Sequence, residues 1–152
     1  MVFYILPYLV VYYRLEQKEN IMKLLLPFHL NKVGAGFPSP ATDYVEEDID
    51  LNSHLIKNIP STFLIRVQGK SMNSVGIYDG DLLVVDRSLS PKNFSTVVAN
   101  VNEELVVKNF IKKNNQSFLT SGSKNFEDKI NLVENPEIFV WGVVTYVIHA
   151  LQ

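Results

Sequence analysis

Ser71 and Lys108 are the two side chains of this sequence best suited to do chemistry together. Ser71 stands in Gly69-Lys70-Ser71-Met72-Asn73, directly after a β-forming run at 62–68. A hydroxyl just past a strand end is displayed by a loop, the usual setting of catalytic groups. The competing reading is a turn serine beside a glycine, which is the commoner fate of such a pair. Lys108 lies in the run 104–111, where strict alternation puts Val106, Lys108 and Phe110 on one face and Leu105, Val107 and Ile111 on the other. A lysine among apolar neighbours either snorkels to an edge or sits where water is scarce. In the second setting desolvation favours the neutral amine, a base able to take the proton of a serine hydroxyl. Ser–Lys pairs are an established variant of nucleophile–base catalysis.

Other chemistries fare worse. The chain has no cysteine, which removes disulfides, thiolate zinc sites and a thiol nucleophile and is compatible with a reducing cytoplasm. His29, His54 and His149 have no carboxylate obviously arranged with them. Asn73 stands where a G-x-S-x-G elbow needs its second glycine, so a hydrolase of that type fails at the motif. Asp79-Gly80-Asp81 reads as a polar turn and Asp86 as a strand end, so neither a metal nor a cofactor is expected.

The elements that must position Ser71 and Lys108 are strands. Runs rich in Val, Ile, Phe and Tyr fall at 62–68, 81–86, 95–101, 104–111, 116–120 and 138–150. Asp79-Gly80, Asn102-Glu103 and Asn114-Asn115 supply turns between them. The pattern predicts a mainly β, antiparallel, barrel-like or sandwich-like domain. One short helix is expected over 50–57, with Asp50 as its N-cap. Ahead of it, residues 34–40 loosen at Gly34 and Gly36 and extend before Pro38 and Pro40, a linker behind an N-terminal arm. Within the arm, Met22 followed by Lys23-Leu24-Leu25-Leu26 reads as a second start, making residues 1–21 an extension.

A chain of 152 residues accommodates one compact domain plus an arm. A formal charge of −2 gives no footprint for phosphate backbones, so direct nucleic-acid binding is not expected. The apolar stretch at 2–13 contains Pro7 and falls short of the roughly 20 residues that span a bilayer. It also lacks a preceding Lys or Arg and so makes a poor secretory signal. A cytoplasmic protein without a membrane anchor is the expectation.

Taken together, four motifs resemble UmuD proteins of the LexA-like self-cleaving family. They are Ala35-Gly36-Phe37-Pro38-Ser39-Pro40-Ala41, Gly69-Lys70-Ser71-Met72, Asp79-Gly80-Asp81-Leu82-Leu83-Val84-Val85-Asp86 and Val106-Val107-Lys108. Their order and spacing match as well, and the resemblance runs from about Gly34 to Leu151, through Trp141-Gly142-Val143-Val144. It implies a LexA/UmuD-like antiparallel β domain at 36–152 and an arm at 1–35 that self-cleavage removes. It makes Ser71 the nucleophile, Lys108 the general base, Ala35-Gly36 the scissile bond, and the backbone N–H groups of Lys70 and Ser71 the oxyanion donors. It further implies a cytoplasmic homodimer, cleavage stimulated by RecA nucleoprotein filaments, and a shortened form that joins a UmuC-like error-prone polymerase in translesion synthesis.

Residues 1–21 have no counterpart in that pattern, Lys70 stands where an acidic residue is common, and Asn102-Glu103 replaces a glycine-containing turn. A LexA-like repressor would need a helical DNA-binding domain ahead of the cut, where this chain has 35 residues. A signal peptidase would want a membrane anchor. A catalytically inert interaction module of the same fold would have no use for both Ser71 and Lys108.

Overall fold

A computed structural model of the chain describes residues 25–29, 35, 46–122 and 129–151. Contacts within the chain divide it into two units, residues 1–54 and 55–152. In the first, strand β1 (Leu25–His29) pairs antiparallel with β2 (Glu46–Asp50), from Leu25 opposite Asp50 to His29 opposite Glu46. Helix α1 (Leu51–Leu55) follows at once. Asp50 caps it as expected: the Asn52 N–H donates to Asp50 Oδ1 at 3.1 Å and the Ser53 hydroxyl to Oδ2 at 2.6 Å. The helix ends at Leu55, short of the 50–57 span read from the sequence, and a 3₁₀ turn at Ile59–Ser61 leads on.

The second unit is a seven-stranded antiparallel sheet. Its members are β3 (Thr62–Arg66), β4 (Leu82–Asp86), β5 (Thr96–Val101), β6 (Glu104–Lys113), β7 (Gln116–Thr120), β8 (Ile130–Asn131) and β9 (Phe139–Ile148). The spatial order is β3-β4-β9-β5-β6-β7-β8, so β9 enters between β4 and β5. Its two neighbours are the most buried strands of the sheet. Leu83, Val84 and Val85 of β4 and Val97, Val98 and Ala99 of β5 are each at most 1% exposed, so both faces of these strands are covered.

Side-chain alternation sorts the core into two clusters. Val98 and Val107 belong with Val67, Met72, Ile77, Leu83 and Val85. Val97, Ala99, Val106 and Phe110 belong with Leu119, Ile138 and Val143. The odd–even split of β5 and β6 is thus the split between clusters, as alternation predicts. Each fully buried Val or Leu contributes about 1.5–3 kcal/mol.

The expected turns form where the sequence marks them. Asn102 and Glu103 have φ of 51° and 68°, and Asn114 and Asn115 have 49° and 62°. Two consecutive left-handed residues make the tight hairpin turn whose twist suits antiparallel neighbours. These turns fix the register of β6 against β5 and β7, and with it the address of Lys108.

Candidate active site

Ser71 lies on the excursion between β3 and β4. The neck of that loop is closed by backbone bonds: the Val67 N–H donates to the Asp81 carbonyl at 2.8 Å and the Gly80 N–H to the Val67 carbonyl at 2.9 Å. Asp79 Oδ1 accepts from the Gly69 N–H at 2.6 Å, which steadies the start of the Ser71 turn. Gly69 and Gly80 have φ of 101° and 88°, backbone that side chains with a Cβ rarely adopt. Asp81, 2% exposed, takes the Tyr78 N–H at 2.8 Å and lies 2.6 Å from His149 Nδ1. Its carboxyl is held below the ordinary range first by the Tyr78 N–H and next by His149, against the opposing effect of burial. No residue near His149 in the chain marks a partner for it; the fold brings Asp81 to it across 68 positions. Asp86 is engaged elsewhere, where burial raises its carboxyl but the Ser61 and Ser88 donors outweigh it and leave it lowered.

The turn itself is pinned from below by Met72, 2% exposed in the core beside Ile77 and Leu83, while Ser71 faces solvent. The Asn73 N–H donates to the Lys70 carbonyl at 3.2 Å, and the Val75 and Ile77 N–H groups to the Met72 carbonyl at 3.1 and 3.2 Å. Among the described residues, the N–H groups of Lys70 and Ser71 have no hydrogen-bond acceptor.

Lys108 is placed by the ladders. It sits opposite Val97 of β5 and is half-buried, with Val106 and Phe110 of the same face packed in the core. Its Nζ donates to the Ser121 hydroxyl at 2.8 Å. No hydrogen bond joins Lys108 to Ser71 among the described residues. The two are linked instead through Ser121 and Gly122. While Ser121 holds the amine, the Gly122 N–H donates to the Ser71 carbonyl at 3.1 Å and the Ser74 hydroxyl donates to the Gly122 carbonyl. Gly122 fits closely there: a Cβ would lie 3.0 Å from Met72 Cα and 3.0 Å from Ser74 Oγ, tight enough that a neighbour would have to give way.

Sequence reasoning passed over Ser121 because a serine before a glycine reads as turn chemistry. The available signal was register. The β6–β7 ladder pairs Asn109 with Thr120, and one more step along it sets Ser121 opposite Lys108. Ala35 is an exposed bend, and Gly36 lies outside the described residues, as does most of the linker at 34–40 and all of residues 1–21. Among the described residues no helix is long and apolar enough to cross a membrane.

Comparison with known proteins agrees with this architecture. Residues 27–145 match the Peptidase S24-like family. Protein ImpA of Salmonella typhimurium is 40% identical over 139 residues, covering 91% of this chain and 94% of that protein. Protein MucA of Escherichia coli is 36% identical over 121 residues, 80% of this chain and 82% of its own. The LexA repressor of Shewanella denitrificans is 37% identical over 113 residues, 74% of this chain and 54% of the repressor. With an antiparallel β domain carrying the expected motifs, the chain belongs to the S24-like peptidase family, in its UmuD-type, LexA-like branch.

Proposed function

We propose that this protein is an SOS mutagenesis factor that cuts its own chain between Ala35 and Gly36, with Ser71 as nucleophile and Lys108 as general base. The observation that carries the reading is the two-residue bridge, in which Ser121 binds the Lys108 amine and Gly122 binds the Ser71 backbone. An exposed hydroxyl and a half-buried amine are thereby tied to one short segment. In the proposed reaction Ser71 Oγ attacks the Ala35 carbonyl carbon as its proton passes to Lys108 Nζ. The oxyanion is met by the N–H groups of Lys70 and Ser71, neither of which is otherwise bonded among the described residues. Collapse breaks the C–N bond, and Lys108 returns the proton to the departing Gly36 amine. Water then hydrolyses the Ser71 ester, giving a proton to Lys108 that restores the serine hydroxyl.

The arm at 1–35 is released and residues 36–152 remain as the working domain, a cytoplasmic homodimer. A RecA filament stimulates the cut by favouring the conformer with the arm in the site. The shortened dimer then serves a UmuC-like translesion polymerase. Residues 1–21 carry none of this chemistry, so a chain begun at Met22 cleaves like the full one.

The test is incubation of the full chain with RecA, ATP and single-stranded DNA, followed by N-terminal sequencing. The expected product begins Gly36-Phe37-Pro38. Ser71→Ala and Lys108→Ala chains should give none while keeping native circular dichroism, and Lys108→Arg should fail too because a guanidinium stays protonated. Without RecA the rate should climb with pH, since only a neutral amine accepts a proton. Cleavage by the Ser71→Ala chain, or a flat profile between about pH 7 and 10, would overturn the assignment.

A further inference from the structure

The fold gives Lys108 a companion, Ser121, to which the proposed reaction assigns no step. We infer that Ser121 is a positioning residue, whose hydroxyl fixes the Lys108 amine so that its lone pair is presented to the Ser71 hydroxyl. The inference rests on the proposed Ser71–Lys108 dyad.

A lysine on a β-strand carries its nitrogen on a long flexible stem, and the terminal carbon–nitrogen bond turns freely in water. A neutral amine has two N–H bonds and one lone pair, and only the lone pair can take a proton. Rotation therefore wastes base capacity unless one N–H is committed. Ser121 Oγ, 2.8 Å from Lys108 Nζ in a half-buried setting, is placed to commit it. The bond is no accident of a surface side chain, because both ends are fixed by backbone. Lys108 is held in the β5–β6 ladder opposite Val97, and the β6–β7 ladder begins at its neighbour Asn109. Ser121 continues the β7 register opposite it, and the next residue, Gly122, is bonded to Ser71 and packed against Met72 Cα. The segment that orients the base thus also touches the turn bearing the nucleophile. One short piece of chain sets the two groups relative to each other.

The experiment compares Ser121→Thr with Ser121→Val in the full-length chain. These replacements have nearly the same shape and differ in the hydroxyl, so a packing role would treat them alike. RecA-independent self-cleavage is followed from neutral to strongly alkaline pH, up to the plateau of its rate. Ser121→Val should lower that plateau by about tenfold to a hundredfold, the scale of a misdirected catalytic group. Ser121→Thr should stay near the unmodified chain, with matching thermal melts for both variants. Equal plateaus for Thr and Val would overturn the inference. So would a Val chain whose profile moves along the pH axis while its plateau holds, because the hydroxyl would then act only on charge. Ser71→Ala and Lys108→Ala run alongside: if they cleave normally, the dyad itself fails. If they are inert and Ser121→Val matches the unmodified chain, the dyad stands and the positioning role alone falls. Complete loss in Ser121→Val together with cutting by Ser71→Ala would make Ser121 the nucleophile and overturn both.

Discussion

Lys108 sits on a strand with a hydrogen-bonded neighbour on each side, whereas Ser71 sits on an exposed turn that no ladder includes. Lys108 takes its position from register, which many backbone bonds specify together. Ser71 takes its position from a few clamps: Met72 below, the Asp79–Gly69 bond at the start of the turn, and Gly122 alongside. Loops of this kind open more readily than paired strands, which suits the proposed role of a hydroxyl that admits a peptide. The contrast says that damage to the site should spread unevenly, with the Ser71 turn lost well before the Lys108 strand.

Three changes break or sharpen that contrast. Met72→Ala removes the buried anchor and should cost about 2–5 kcal/mol in urea unfolding. It should also slow self-cleavage while amides of β6 keep their slow hydrogen exchange; faster exchange along β6 would show that the two supports are one. Gly122→Ala presses a methyl onto the Met72 backbone, and about 1–3 kcal/mol of overpacking is expected. Its main symptom should be a fall in cleavage rate. A variant that cuts at the normal rate would mean that the Gly122 clamp is dispensable. Glu103→Gly acts on the other region, where Glu103 stands at φ 68° in the β5–β6 turn. Relief of that backbone, set against the extra freedom of an unfolded glycine, should raise stability by up to about 1 kcal/mol. Cleavage should not change, and a lower melting temperature would contradict the strain reading.

Much of this was legible because local chemistry and global fold agree. Asn114-Asn115 and Asn102-Glu103 announce left-handed turns, and the strand at 116–120 is found as read. The face assigned to Lys108 is also right, since Val106 and Phe110 fall in one cluster and Val107 in the other. Less of the long-range pairing could be read. Glu46-Glu47-Asp48 is acidic and poor in β-formers, and Leu25-Leu26-Pro27-Phe28 does not alternate, so the β1–β2 ladder left no periodic signal. Nor does any local feature say that β9 lies between β4 and β5. Its extent was overread as 138–150, although it stops at Ile148, where His149 turns to Asp81. Ser121 was missed for the same reason: its role comes from a partner across the sheet.

The position of β9 has a consequence for the life of the newly made chain. It is the last strand to be synthesised among those described, yet it joins β4 on one side to β5 on the other. Until it arrives, β3 and β4 have no ladder to β5, β6, β7 and β8. The Ser71 loop belongs to the first group and Lys108 to the second, so a growing chain carries the two side chains on two unjoined pieces. Domains assemble as their strands become available during synthesis. On the proposed reading, the order of translation acts as a safety catch: the arm, made first, meets no assembled Ser71–Lys108 pair until β9 is available to join the two pieces.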